Sequence, residues 1–170
     1  MQQTTPLSLC LAALLALAAP AQASDNCKAA APSDLARFIV KADQPDRVLD
    51  SRSGLVWKRC SEGQEFKDGR CEGDAAMMRW RDALEVGTDA DTVKAGWRLP
   101  TIAELETLVT TGCDWPSVDL GIFPDTPNKA YWSSTQVPEH AVHAFYVHVG
   151  YGGTRLPGGI TRDFALRLVR

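Results

Sequence analysis

The clearest helical pattern in the chain begins just after Pro100. Four apolar residues then recur at the spacing of one helical face and predict a helix lying on a core: Ile102, Leu105, Leu108 and Val109. Thr101 and Glu104 stand three residues apart at the start of this pattern, which is the spacing of a capping box. Because proline is excluded from a helix interior and extends the residue before it, we expect the helix to begin at Thr101.

A second helix is predicted over residues 75–86, with Gly87 as its C-terminal cap. Three of its residues share one helical face: Trp80, Ala83 and Leu84. Residues 87–95 are polar and acidic, and we interpret them as a surface loop. The nearby carboxylates lack the spacing of a calcium-binding loop; they belong to Asp82, Glu85, Asp89 and Asp91.

Alternation of apolar and polar residues predicts the strands. Residues 47–50 and 55–58 flank a turn in which Gly54 takes a positive φ, so they predict a β-hairpin with Trp57 in the core. In the last predicted strand, over residues 163–170, Phe164, Leu166 and Leu168 are expected to face the core. Arg167 lies on the other face and is expected to point outward or toward a partner. The other predicted strands cover residues 38–40, 131–135, 142–149 and 163–170.

The segment over residues 110–130 has no sustained periodicity and contains several glycines and prolines. A connection of this length is usually functional or tied down. Four residues are expected to anchor it: Cys113, Trp115, Ile122 and Phe123.

The first 23 residues contain no charged side chain. An apolar run over residues 7–19 precedes Ala21-Gln22-Ala23, a small-x-small cleavage site, so residues 1–23 are interpreted as a secretory signal peptide. Cys10 follows Leu9, which argues against a lipoprotein anchor, and the run is too short to span a membrane. We therefore expect an exported chain, periplasmic or extracellular, with no transmembrane segment after cleavage, an N-terminal arm over residues 24–36 and one domain over residues 37–170.

The exported part contains an even set of cysteines: Cys27, Cys60, Cys71 and Cys113. Four cysteines in an oxidising compartment predict disulfides and permit three pairings. They lack the short Cys-x2–4-Cys spacing of a zinc site.

Catalytic, metal and cofactor sites are not predicted. Ser133 and Ser134 lie outside any Gly-x-Ser-x-Gly elbow. His143 and His148 have opposite strand parity, so one strand cannot present both to a single ion.

Charge is distributed unevenly along the chain, whose net charge is −3. Residues from Asn128 onward carry +3, and the preceding ones carry −6. The acidic total and the export signal disfavour nucleic acid as a partner. The glycine-rich residues 150–159 lack the Lys-Ser/Thr of a phosphate loop. We expect a ligand surface there that favours an acidic glycan, since aromatic rings stack on sugars and arginine binds carboxylate or sulfate; its residues are Tyr146, His148, Tyr151 and Arg155.

Several motifs together resemble the Lcl C-terminal domain family, a bacterial secreted module named after the Legionella collagen-like adhesin. They are Trp97-Arg98-Leu99-Pro100-Thr101 with Glu104-Leu105, Tyr131-Trp132-Ser133-Ser134-Thr135, and residues 53–60, 80–84 and 166–170. The resemblance implies an α+β fold: a single C-type-lectin-like domain, similar also to the formylglycine-generating enzyme, with two helices, antiparallel strands and a long irregular segment. The family pattern also has cysteines at positions 60 and 71, and a short loop suits a local bridge, so we pair Cys60 with Cys71 and Cys27 with Cys113.

The named member of this family binds sulfated polysaccharide as part of a trimeric adhesin. By resemblance we expect a non-catalytic module that binds a glycan or a protein surface at the cell envelope. A structural or assembly subunit is the alternative, and the oligomeric state stays open. An enzyme of the formylglycine-generating type ranks third, because that fold holds copper with cysteines near its C-terminal end and this chain has none after Cys113.

Overall fold

The computed structural model describes residues 24–170, so the predicted signal peptide and Cys10 lie outside the described residues. The described chain is α+β and joined by two disulfides, as predicted, but it has four α-helices where two were expected. A 3-10 helix at Asp25–Cys27 precedes α1 (Pro32–Leu35), α2 (Trp80–Thr88), α3 (Ala90–Lys94) and α4 (Ile102–Glu106). Within residues 24–170, no helix is both long and apolar enough to cross a bilayer.

The strands form three antiparallel sheets. The first sheet contains β1 (Phe38–Lys41), β2 (Gln44–Asp50) and β3 (Val56–Lys58); the second is the hairpin of β4 (Glu65–Lys67) and β5 (Arg70–Glu72); the third contains β6 (Ala130–Gln136), β7 (His143–His148) and β8 (Thr154–Gly159). The predicted hairpin is β2–β3, with Gly54 at a φ of +76°. Trp57 lies fully in the core, as expected.

Helix α4 begins where the sequence places it. The Thr101 hydroxyl accepts a hydrogen bond from the Glu104 N–H at 3.3 Å, and the Glu104 carboxylate accepts one from the Thr101 N–H at 2.8 Å. Arg98 donates two further hydrogen bonds to that carboxylate, at 2.7 and 2.6 Å, and they lower the pKa of Glu104 to about 2. The helix ends at Glu106, earlier than predicted, although Leu108 beyond it is still buried.

We predict that Thr101→Ala lowers the free energy of unfolding by about 1 kcal/mol, because one N–H at the helix end loses its acceptor. Urea unfolding of the variant and the parent measures this difference. Ala103→Ser, an exposed change in the same helix, is the control and should alter stability by less than about 0.5 kcal/mol. Coincident midpoints for Thr101→Ala and the parent would contradict a stabilising capping box.

Helix α2 starts later than predicted, at Trp80, and continues through Gly87. The expected role of Gly87 as a C-terminal cap is therefore wrong. A side chain there would place its Cβ 2.9 Å from the Leu99 backbone nitrogen, so close packing explains the glycine. The predicted acidic surface loop after it is also wrong in part, because it contains α3, capped by the Asp89 side chain that accepts from the Thr92 N–H.

The C-terminal segment runs through the centre of the molecule. Instead of one continuous strand, it makes isolated bridges from Phe164 to Met78, from Ala165 to Tyr131 and from Val169 to Trp57 and Arg98. All residues over 164–169 are buried because sheet residues cover both of their faces. The prediction that Arg167 faces outward is wrong: its side chain is 2% exposed.

Strand β6 also packs on both faces, and its first four residues are buried. Trp132 packs against the rings of Tyr146 and Phe164. The Ser133 hydroxyl donates to the Phe145 carbonyl at 2.7 Å, and the Ser134 hydroxyl donates to the Pro100 carbonyl at 3.1 Å. The motif serines thus connect β6 to neighbouring backbone.

Candidate surface site

The long segment before β6 is held by the N-terminal arm. The disulfide Cys27–Cys113 joins the two, as the sequence predicts. The Asn26 amide donates to the carbonyls of Pro116 and Val118 at 2.9 and 2.7 Å. The Ser117 N–H donates to the Val149 carbonyl at 2.7 Å on the other side. The short loop between Cys113 and Ser117 is thereby fixed at both ends.

Trp115 lies at the tip of this fixed loop with 68% of its surface exposed. The expectation that it anchors the segment in the core is wrong, whereas Cys113 and Phe123 are buried as predicted. Trp115 has a φ of +49°, a region that bulky residues seldom occupy.

The turn between β7 and β8 faces the same loop. The Gly150 N–H donates to the His148 Nδ1 at 3.1 Å, which assigns the proton of the neutral ring to Nε2. The Tyr151 N–H donates to the His148 carbonyl at 3.1 Å. These bonds close the turn and hold the imidazole beside the phenol.

Three rings meet where the loop and the turn approach each other. The centroids of Tyr151 and Trp115 are 6.3 Å apart in an edge-on arrangement, and those of Tyr151 and His148 are 4.2 Å apart. Tyr151 is 64% exposed. We call Trp115, His148 and Tyr151 the aromatic patch. It presents ring faces and edges to solvent on a main chain fixed by hydrogen bonds.

Positive charge borders the patch. Burial lowers the pKa of His148, and the cations of Lys129 and Arg162 lower that pKa further. Lys129 is exposed and immediately precedes Ala130, which pairs with His148 across β6 and β7. The basic bias of this part of the sequence therefore reaches the patch through Lys129 and Arg162.

Of the four ligand residues expected from the sequence, the structure brings together only His148 and Tyr151. Tyr146 is 6% exposed, since its ring packs against Phe164 at 4.5 Å between centroids. The non-core orientation predicted for Tyr146 is wrong, because both faces of β7 are covered at that point.

Arg155 lies on the opposite face of the hairpin from His148. It is paired with Val147 in the ladder, its guanidinium lies 5.6 Å from the Phe145 ring centroid, and it contacts the Glu106 carboxylate at 3.5 Å. Residues directly opposite each other in a sheet share a face. Arg155 is therefore separated from the aromatic patch.

The histidines and acidic residues form no metal-binding group in the part of the chain that the structure describes. His140 and His143 are neighbours, with ring centroids 6.0 Å apart, at the opposite end of β7 from His148. The Cys60–Cys71 disulfide joins the ends of the β4–β5 region and is the local bridge expected from the sequence.

Trp115 is the residue of the patch that sequence reasoning missed. A signal for it was present in the Cys113-Asp114-Trp115-Pro116 stretch, because a proline three residues after a cysteine expected to be cross-linked indicates a constrained turn. Lys129 and Arg162 had no comparable signal, as only the fold brings them near His148.

The model of the Lcl C-terminal domain family matches residues 46–170. This match runs from the third residue of β2 to the end of the C-terminal segment and includes every residue of the aromatic patch. No curated protein matches the chain.

Proposed function

Since this chain belongs to the Lcl C-terminal domain family, we propose that it is an exported, non-catalytic module that binds an acidic or sulfated glycan through the aromatic patch. The family is adhesin-associated, which fits a binding role at the cell envelope. Two disulfides suit an oxidising compartment outside the cytoplasm.

The observation that carries the proposal is the contact of three rings at the surface. A soluble domain normally buries tryptophan, yet Trp115 and Tyr151 are both about two-thirds exposed and touch each other. Such a pair offers the apolar C–H face of a sugar ring a rigid stacking surface, and the Tyr151 hydroxyl and the His148 Nε2–H remain available to its hydroxyls.

The cations around the aromatic patch favour an acidic glycan over a neutral one. Lys129 is exposed next to Ala130, which pairs with His148, and the cations of Lys129 and Arg162 both lower the pKa of His148. A carboxylated or sulfated sugar stacked on Tyr151 would face cations, whereas a neutral one would gain only the stacking. Because exposed charges are screened within about 8 Å at physiological salt, we expect the preference for sulfated chains to weaken as salt increases.

The hydrogen bonds of the two serine hydroxyls in β6 support the non-catalytic part of the proposal. Ser133 and Ser134 both donate to main-chain carbonyls, and Ser133 is fully buried. A serine nucleophile needs an adjacent base, and their bonds are to backbone instead.

We predict that the purified protein binds heparin more tightly than unsulfated dextran. The double variant Trp115→Ala, Tyr151→Ala should bind heparin at least about tenfold more weakly, since two stacking contacts are lost. Lys129→Gln should reduce heparin affinity a few-fold and reduce its salt dependence. Isothermal titration calorimetry at two salt concentrations measures both effects.

Val142→Ala is the matched control, because Val142 is equally exposed but precedes the opposite end of β7. It should leave heparin binding unchanged. Equal affinity of the parent and the double variant would contradict the proposal. A parent that binds no glycan but sediments as an oligomer, which the same double variant dissociates, would instead identify an assembly subunit.

A further inference from the structure

The outer face of the β1–β2–β3 sheet carries an apolar row where solvent-facing residues are normally polar. The opposite face packs into the core through Phe38, Val48, Trp57 and Val169. On the outer face, Ile39 pairs with Leu49, Leu49 pairs with Val56, and Val56 exchanges backbone hydrogen bonds with Arg170. Directly opposed residues share a face, so three aliphatic side chains form one row across the sheet.

This row forms the floor of a cleft of about 160 Å³. Ile39 is 46% exposed, although it is a large aliphatic residue. A cavity of about 150 Å³ accommodates a benzene-sized group, so this cleft has room for one apolar side chain. The floor contains no aromatic ring, which makes it unsuitable for stacking a sugar and distinguishes it from the aromatic patch, with which it shares no residue.

Three cations border the cleft: Lys41, Arg47 and Arg170. The Arg47 guanidinium is bound to the Asp46 carboxylate at 2.9 Å. Arg170 donates to the Ala95 carbonyl at 3.2 Å and lies 4.7 Å from the Trp97 ring centroid, and its cation also lowers the pKa of Asp46. Among residues 24–170, no carboxylate lies within ion-pair distance of Lys41. An anion at this rim would therefore meet one cation, Lys41, that has no carboxylate partner among the described residues.

Strand β1 forms the edge of the sheet beside the cleft. It pairs with β2 on one side, and within the described chain its residues make no backbone hydrogen bond to a third strand. Ile39 and the neighbouring Val40 are both exposed on this edge. An unpaired edge is the element that receives an added strand from an extended peptide.

We propose that this cleft binds the C-terminal residue of an extended partner peptide. The α-carboxylate lies against Lys41, an aliphatic side chain lies on the row that begins at Ile39, and the preceding residues pair with the β1 edge. The combination of an aliphatic floor, a cationic rim and a free edge selects a peptide over a free carboxylate, which would use only the first two.

Three probes test the assignment by nuclear magnetic resonance titration of the full chain. The peptide acetyl-Gly-Gly-Val-Leu carries a free carboxylate, its C-terminal amide lacks that charge, and 4-methylvalerate carries the same isobutyl group and carboxylate without a peptide backbone. We expect the acid peptide to shift the backbone amides of residues 39–41 and to bind about tenfold more tightly than either of the other two probes.

Lys41→Gln should weaken binding of the acid peptide by about fivefold, and Ile39→Asn should weaken it by a similar factor. Both side chains are exposed, so neither change should unfold the protein, and the amide spectrum verifies this. Lys28→Gln is the matched control, an exposed lysine in the N-terminal arm, and should have no effect. Equal binding of acid and amide, equal binding of 4-methylvalerate, or no shift in residues 39–41 would overturn the proposal.

Discussion

Replacing Arg167 with methionine should reduce the free energy of unfolding by about 3–5 kcal/mol. The guanidinium donates to the carbonyls of Lys58 and Arg59 and to the hydroxyls of Thr126 and Ser61. Methionine fills a similar volume but donates nothing, so four acceptors lose a hydrogen bond, and water cannot replace the three that are buried. Leaving buried polar groups unsatisfied costs more than the net gain of forming the bonds.

No carboxylate of residues 24–170 lies within ion-pair distance of the buried Arg167 guanidinium. Burial lowers the pKa of Arg167, but an arginine remains protonated in proteins. Its cation lies 4.9 Å from the Phe123 ring centroid and 5.9 Å from that of Tyr131, which adds cation–π attraction in a desolvated site. One side chain thus connects β3, the long segment and β6 at the centre of the molecule.

Urea unfolding followed by circular dichroism measures the effect of Arg167→Met. Arg81→Met is the control, because Arg81 is exposed on α2 and its replacement should change stability by less than about 0.5 kcal/mol. Arg167→Lys should recover only part of the loss, as an ammonium group cannot span the same four acceptors. Equal stability of the two methionine variants would contradict a structural role for the buried guanidinium.

The sequence predicts those parts of the fold whose interactions lie within a few residues. The capping box joins Thr101 to Glu104, and the β2–β3 turn depends on Gly54, so both are encoded locally and both are found. Counting cysteines predicts disulfides but leaves three pairings open, and the pairing that is found was chosen from the short loop between Cys60 and Cys71 together with the family resemblance.

The errors occur where burial depends on distant segments. Alternation indicates which residues share a face of a strand, but it identifies the buried face only when the other face meets solvent. In β7 and in the C-terminal segment both faces are covered, so Tyr146 and Arg167 are buried despite their predicted outward orientation. Their hydrogen-bonding and ring partners are distant in the sequence, so no local sequence pattern predicts these contacts.

The candidate site was predicted only in part for the same reason. His148 and Tyr151 belong to one turn and could be placed together from the sequence. Trp115 reaches them because Asn26 and Cys27 hold its loop from one side and Val149 holds it from the other. That arrangement combines three segments that are separated by many residues. The exposure of the Trp115 indole results from their packing together, so no single segment of the sequence predicts it.

The two tryptophans that differ most in burial provide a direct test of the core. Trp132 is fully buried, and its ring centroid lies 4.4 Å from that of Phe164 and 6.0 Å from that of Tyr146. Its indole N–H donates to the Met78 carbonyl at 2.9 Å. Trp132→Ala removes these contacts and leaves a cavity, so we expect a loss of about 3–5 kcal/mol in the free energy of unfolding.

Trp115→Ala removes the same side chain from the surface and should alter stability by less than about 1 kcal/mol. Thermal unfolding followed by far-ultraviolet circular dichroism compares the two without relying on tryptophan fluorescence. For a chain of this size, the Trp132→Ala midpoint should fall by about 10 °C. Trp132→Phe should give an intermediate value, because it keeps the ring packing and loses the hydrogen bond. Similar midpoints for Trp132→Ala and Trp115→Ala would contradict the central position of β6. A large difference between the two midpoints would distinguish Trp132, which maintains the fold, from Trp115, which is available for binding.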